Sequence, residues 1–149
     1  LRSFGFDAQA IEDLDQGLRS ADIISSATLS TVPLVRGNLV KDGTHIDLVG
    51  AFNAQMRESD DTAILRSRLY VDTYAGALKE GGDIVQPIAD GIISAEDIVG
   101  ELGALVKREV LGRATASEIT LFKSVGAALE DLAAGILIDR RFRAHRQHG

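Results

Sequence analysis

A chain of 149 residues is of one-domain size and can bury roughly two-thirds of its unfolded surface. With 45% apolar and 26% charged residues it has the make-up of a folded globular protein, far from the profile of disorder. A net charge of −6 argues against nonspecific nucleic-acid binding, and the lack of cysteine rules out a disulfide frame, a thiolate nucleophile and a cysteine metal site.

In chain order, residues 4 to 8 (FGFDA) can form a short strand, and Ile11 to Ala21 a helix with Ile11, Leu14 and Leu18 on one face. Asp22 to Ala27 is the next strand, ending in small and hydroxyl residues. A loop through Thr31-Val32-Pro33 leads past Gly43 to the strand His45-Ile46-Asp47-Leu48-Val49, which breaks into Gly50-Ala51. Asp60 and Asp61 suit a helix N-terminus, where carboxylates meet the positive end of the dipole. That helix is expected to end near Ser67, before a strand over Arg68 to Asp72.

A helix over Tyr74 to Glu80 should stop at Gly81-Gly82. Ser94-Ala95-Glu96-Asp97 resembles a capping box and should open an amphipathic helix carrying Ile98, Leu102 and Leu105. Glu118 to Phe122 reads as a strand feeding the longest helix, from about Ser124 to about Arg143. Its apolar positions Val125, Leu129, Leu132, Ile136 and Leu137 form a stripe wide enough to need a partner surface. The arginines from Arg140 to Arg146 complement a helix C-terminus and do not point to nucleic acid. Short strands alternating with longer amphipathic segments are the pattern of βαβ units around a parallel sheet.

No apolar run approaches the ~20 residues needed to cross a bilayer. No signal peptide is visible, so a soluble, cytoplasmic protein without membrane contact is expected. The chain begins at Leu1 rather than Met, and residues upstream of it are expected. There is no Gly-x-Gly-x-x-Gly after a first strand, no Walker A loop, no His-Glu-x-x-His and no Gly-x-Ser-x-Gly. Three histidines, two of them in the tail, do not make a zinc site.

Several short pieces recur in one order: Ala21-Asp22-Ile23-Ile24, Ser26-Ala27-Thr28, Leu34-Val35-Arg36-Gly37, Val49-Gly50-Ala51, Arg57-Glu58, Val71-Asp72, Gly82-Asp83 and Glu118-Ile119-Thr120-Leu121-Phe122-Lys123-Ser124-Val125-Gly126. In that order and spacing the chain resembles the ornithine cyclodeaminase and mu-crystallin family, and only the C-terminal half of its full-length members. The resemblance implies an α/β fold: a partial Rossmann-like parallel sheet lacking the first βαβ glycine-loop unit, with a long C-terminal helix that belongs to a substrate and dimerisation domain. Residues 1–117 would be the distal part of the nicotinamide-cofactor domain, and 118–149 the strand and helix returning to the other domain. The expected parent is a homodimer that binds NAD or NADP and a small imino or amino acid. The choice between the two cofactors would be set upstream of Leu1. The 149 residues alone are not expected to be a working enzyme.

By the same resemblance, Ser26, Ala27, Thr28 and Leu29 lie beside the cofactor, Val49, Gly50 and Ala51 lie against the nicotinamide, and Ser124, Val125 and Gly126 line the substrate pocket. Elementary chemistry agrees for the first two groups. Ligands of open α/β sheets sit beyond strand C-termini, and small residues there let a flat ring approach the backbone.

Phe52 carries the functional argument. In the cyclodeaminases an Asp follows Val-Gly-Gly or Val-Gly-Ala and acts as the acid/base group; a phenyl ring cannot, and such assistance is typically worth about 10²–10⁴-fold. No residue is assigned as the catalytic acid or base. An aromatic residue here, with Met56-Arg57-Glu58 following, resembles the Δ1-pyrroline-2-carboxylate and Δ1-piperideine-2-carboxylate reductases, in which Phe52 would be a pocket wall. NAD(P)H-dependent reduction of a cyclic imino acid is therefore the expected activity. Ornithine cyclodeaminase, a weaker alanine dehydrogenase reading and a non-catalytic mu-crystallin-like binding protein stand as alternatives. Of the nearest carboxylates, Asp47 reads as a satisfied strand polar group and Glu58 as a surface partner of Arg57. Lys123 could approach the cofactor or substrate, but reads first as a solvated lysine before a helix N-cap.

Overall fold

The computed structural model describes residues 2–146. Five strands, β1 (Ile23–Ser26), β2 (His45–Leu48), β3 (Ser67–Val71), β4 (Ile98–Glu101) and β5 (Ile119–Lys123), form one all-parallel sheet in the order β1-β2-β5-β3-β4. The last strand thus returns to the middle, and its final residue Lys123 lies in register between Leu48 and Val71.

Alternation along the strands decides which face is buried. Ile46 and Leu48 of β2, Ile119 and Leu121 of β5 and Leu69 of β3 meet Ile64 and Ala63 of α2 (Asp61–Arg66), Leu18 of α1 (Leu14–Ser20) and Val35 and Val40 of the intervening loop. Val71 and Ile98 continue this layer toward Ala77 of α3 (Tyr74–Glu80) and Ile84 of α4 (Gly82–Ala89). On the opposite face, α5 (Leu102–Val106) and the segment after it cross from β4 to β5. The Tyr70 hydroxyl donates to the Leu111 carbonyl at 2.8 Å, and Gly100 packs against Val110. The α6 helix (Ala128–Arg146) then leaves the sheet with Leu129, Leu132, Ile136 and Leu137 exposed.

Side-chain caps set the starts of α1 and α2. Asp13 accepts from the amides of Asp15 (2.9 Å) and Gln16 (3.4 Å), which starts α1 at Leu14 rather than Ile11. Asp60 accepts from Ala63 N at 2.8 Å and from Gly37 N at 2.9 Å, so one carboxylate caps α2 and ties down the 37 loop. Asp60→Ala is expected to cost about 1–2 kcal/mol, read as a lowered thermal unfolding midpoint.

Four expectations need correction. Residues 4 to 8 form no strand: a single 3-10 turn covers Arg2–Phe4, and Phe4 and Phe6 are exposed with no strand beside them to pair with. The Ser94–Asp97 capping box is present, with Ser94 N and Oγ both donating to Asp97 Oδ2, but it opens only one 3-10 turn. Ile98 then enters β4, because the edge of β3 offers a ladder and a buried position that outweigh helical spacing. A further helix, α4, follows Gly81-Gly82, where the glycines and Pro87 conceal it in the sequence. Finally, α6 starts at Ala128, because Gly126 takes a positive φ of 85° and delays the helix beyond Ser124.

Candidate functional site

The carboxyl ends of β1 and β2 lie side by side. Val49 N donates to the Ser26 carbonyl at 2.8 Å, so the two loops that follow run together past the edge of the sheet. Along them, Ala27 and Leu29 (69% exposed), Val49 (46%) and Phe52 (47%) face outward, while Ser26, Gly50 and Ala51 are buried and Thr28 is half-buried. The result is an apolar platform with polar supports beneath. Ala51 holds a φ of +39°, a left-handed conformation that a residue with a Cβ keeps only when its surroundings impose it.

Those surroundings are ionic. Glu58 is buried, and its Oε1 accepts from Ser26 Oγ (2.7 Å), Thr28 N (2.6 Å) and Thr28 Oγ1 (2.7 Å). Asp83, in the first turn of α4, is buried too. Its Oδ1 accepts from Glu58 N (2.9 Å), Ser59 N (2.8 Å) and Ser59 Oγ (2.9 Å). Lys123 is completely shielded from solvent. Its Nζ donates to the Gly50 carbonyl, lies 3.4 Å from the Leu48 carbonyl and 3.5 Å from Asp83 Oδ2. Burial pushes the Lys123 ammonium below the ordinary lysine range, and Asp83, Glu58 and Asp72 pull it back. Among the described residues, two buried oxygens, Glu58 Oε2 and Asp83 Oδ2, accept no hydrogen bond.

A second carboxylate cluster shapes the return segment. Asp72 Oδ2 accepts from Ser124 Oγ (3.0 Å), Val125 N (2.8 Å) and Gly126 N (2.9 Å), and its Oδ1 from Thr73 N (2.6 Å). Ser124 therefore bonds across to the end of β3 instead of capping a helix. A cavity of about 460 Å³ opens beside this turn, between α5 and α6, lined by Asp72, Thr73, Leu102, Val106 and Leu129.

Of the residues picked out in the sequence, the structure brings Ser26–Leu29 and Val49–Phe52 together at one sheet edge. Ser124–Gly126 follows β5, next to β2 in the sheet. Two readings fail. Glu58 does not pair with Arg57 on the surface: it points inward, while Arg57 bonds Asp61 and the Ser59 carbonyl. Lys123 is not solvated, because β5 inserts at the centre of the sheet and carries it inside. Asp72 and Asp83 went unassigned as site residues. The available signal was an acid directly after a β-run in one case, and one directly after a glycine pair in the other.

A parallel α/β sheet whose carboxyl ends carry such loops is the architecture of domains that hold a ligand beyond the strand ends. The chain belongs to the ornithine cyclodeaminase/mu-crystallin family, whose model matches residues 1–146. It is 42% identical over 134 residues to the Δ1-pyrroline-2-carboxylate reductase of Paracoccus denitrificans, a match covering 90% of this chain and 42% of that protein. To the ketimine reductase mu-crystallin of Rattus norvegicus it is 37% identical over 132 residues, covering 89% and 39%. Among solved structures, the Thermococcus litoralis Δ1-pyrroline-2-carboxylate reductase in complex with NADH and L-proline aligns with a TM-score of 0.92 at 35% identity, covering 97% of this chain and 45% of that one. The chain thus spans about two fifths of the length of these curated relatives.

Proposed function

We propose that these residues form the nicotinamide-side portion of an NAD(P)H-dependent reductase of cyclic imino acids, of the Δ1-pyrroline-2-carboxylate to proline type. The observation that carries the reading is the likeness, over nearly the whole chain, to a reductase of that name bound to NADH and L-proline. The division at residues 117 and 118 is part of the same reading. The exposed apolar positions of α6 suit packing against a substrate and dimerisation domain in a homodimer, and the cysteine-free composition suits the cytoplasm.

The residues present fit the nicotinamide end of the cofactor. Exposed Leu29, Val49 and Phe52 offer a flat ring an apolar surface, and Gly50 with Ala51 keeps the backbone close beneath it. They would not hold the pyrophosphate, since no glycine loop is in the sequence. A bound reduced nicotinamide supplies the hydride. Around it, Val49 would back the ring with buried Ala51 supporting the turn beneath, Phe52 would wall the substrate side and exclude water, and Ser124–Gly126 would shape the pocket toward the return helix. No protein acid is needed at position 52, because the iminium nitrogen already carries the proton that the product amine retains.

The first test is steady-state turnover in the intact native protein: nicotinamide absorbance should fall when Δ1-pyrroline-2-carboxylate is added with NADH or NADPH, and no change with either cofactor refutes the reading. Phe52→Ala provides a second. Losing a wall is expected to raise KM for the imine about tenfold, within the ~1–3 kcal/mol that apolar contacts supply, and to leave kcat within a few-fold. A fall in kcat of about 10²–10⁴, the signature of a lost proton donor, would contradict it.

A further inference from the structure

Building on the reductase reading, we infer that Lys123 is a positioning residue for the nicotinamide face: its buried ammonium locks the Val49–Ala51 turn to the carboxylates that hold the Ser26–Thr28 loop, so that both loops present one fixed surface.

The connection is continuous. Lys123 Nζ binds the Gly50 carbonyl and faces Asp83 Oδ2; Asp83 Oδ1 holds the amides of Glu58 and Ser59; and Glu58 Oε1 holds Ser26 and Thr28. The Gly50 carbonyl is the critical atom. It belongs to the peptide plane that precedes Ala51, so fixing its direction fixes the side of φ that Ala51 adopts, which is the strained positive one. That peptide in turn sets where the Phe52 ring starts. An ammonium and two carboxylates shielded from solvent are a costly way to fill space: an all-apolar cluster of similar volume would serve stability as well or better, whereas losing the cation alone leaves Asp83 and Glu58 buried and uncompensated. The geometry of the ammonium is explained by the carbonyl it holds.

The test uses the intact native protein with Lys123→Met, which keeps the volume and removes the donor. Affinity for NADH or NADPH, whichever the native protein binds, read from the fluorescence of the bound cofactor, should weaken by about 10- to 100-fold, and kcat on Δ1-pyrroline-2-carboxylate should fall on the order of 100-fold, as a misplacement near 1 Å does. Lys123→Ala should regain part of both when propylammonium is added and nothing with propanol, a contrast that a merely structural lysine would not produce. Affinity and kcat within about threefold of wild type for Lys123→Met, or equal response to the two additives, overturns the inference. Should Lys123→Met fail to fold, Asp83→Asn carries the test: it keeps the acceptor for the Glu58 and Ser59 amides, and cofactor affinity should still weaken about tenfold. Unchanged affinity, or loss of folding in both variants, overturns it as well. A native protein that binds NADH yet reduces no imine defeats the reductase reading while the affinity comparison still judges Lys123. Imine turnover that Lys123→Met leaves intact defeats the inference alone, and a native protein that binds neither NADH nor NADPH defeats both.

Discussion

Gly50→Ala is expected to destroy cofactor binding and to lower the unfolding midpoint of the intact protein by roughly 2–10 °C. A Cβ on Gly50 would overlap both the Thr28 carbonyl oxygen and Glu58 Oε1. Neither can move away freely: the first is backbone of the adjoining loop, and the second is held by three donors. Overpacking of this kind costs roughly 1–3 kcal/mol or more, and each kcal/mol corresponds to about 2–4 °C in a protein of 150–250 residues. The two loops would have to separate, which removes the platform on which a nicotinamide would lie. Differential scanning calorimetry and cofactor titration check the two halves of this expectation; an alanine variant with native affinity would mean that the loops need not touch.

Glu58→Ala is the second large effect. It leaves the Thr28 amide and two hydroxyls without their acceptor and removes one of the carboxylates facing the buried Lys123. Breaking a buried charge arrangement from one side costs about 3–5 kcal/mol, and an orphaned donor about 1–3 kcal/mol. Glu58→Gln keeps an acceptor at Oε1 and should lose only about 1–2 kcal/mol. Denaturant midpoints that shift with unchanged slope would measure both. Because the Gly50 Cβ and the Glu58 carboxylate compete for one space, the double variant Gly50→Ala/Glu58→Ala should be less destabilised than the sum of its parts. Strict additivity would show that the two residues act separately.

How much of this was legible in the sequence depends on how local the cause is. The β2 strand, the α2 and α3 helices and the β5 strand follow from alternation, from capping by Asp60 and from glycine punctuation, all visible within a few residues. The β4 strand did not, because Ile98 has helical neighbours at Leu102 and Leu105, and only the distant edge of β3 turns it into a strand. The loops at the site could be placed because Ser26-Ala27-Thr28 and Val49-Gly50-Ala51 each follow a β-run, and ligand loops of parallel sheets occupy that end. The ionic support beneath them was out of reach. Charges on Glu58 and Lys123 read as surface features in one dimension, and their burial comes from a crossover that drops β5 between β2 and β3.

On the proposed reading, hydride would pass directly to an imine carbon beside the Val49–Phe52 turn, with no proton relay from the protein at position 52. Reduced cofactor carrying two deuteriums on nicotinamide C4, supplied to the intact protein with Δ1-pyrroline-2-carboxylate, measures this through the mass of the proline formed. One deuterium on the α-carbon, and no proline from ornithine with NAD⁺, are the expected results. Proline released from ornithine, or imine reduced without deuterium at that carbon, would contradict it.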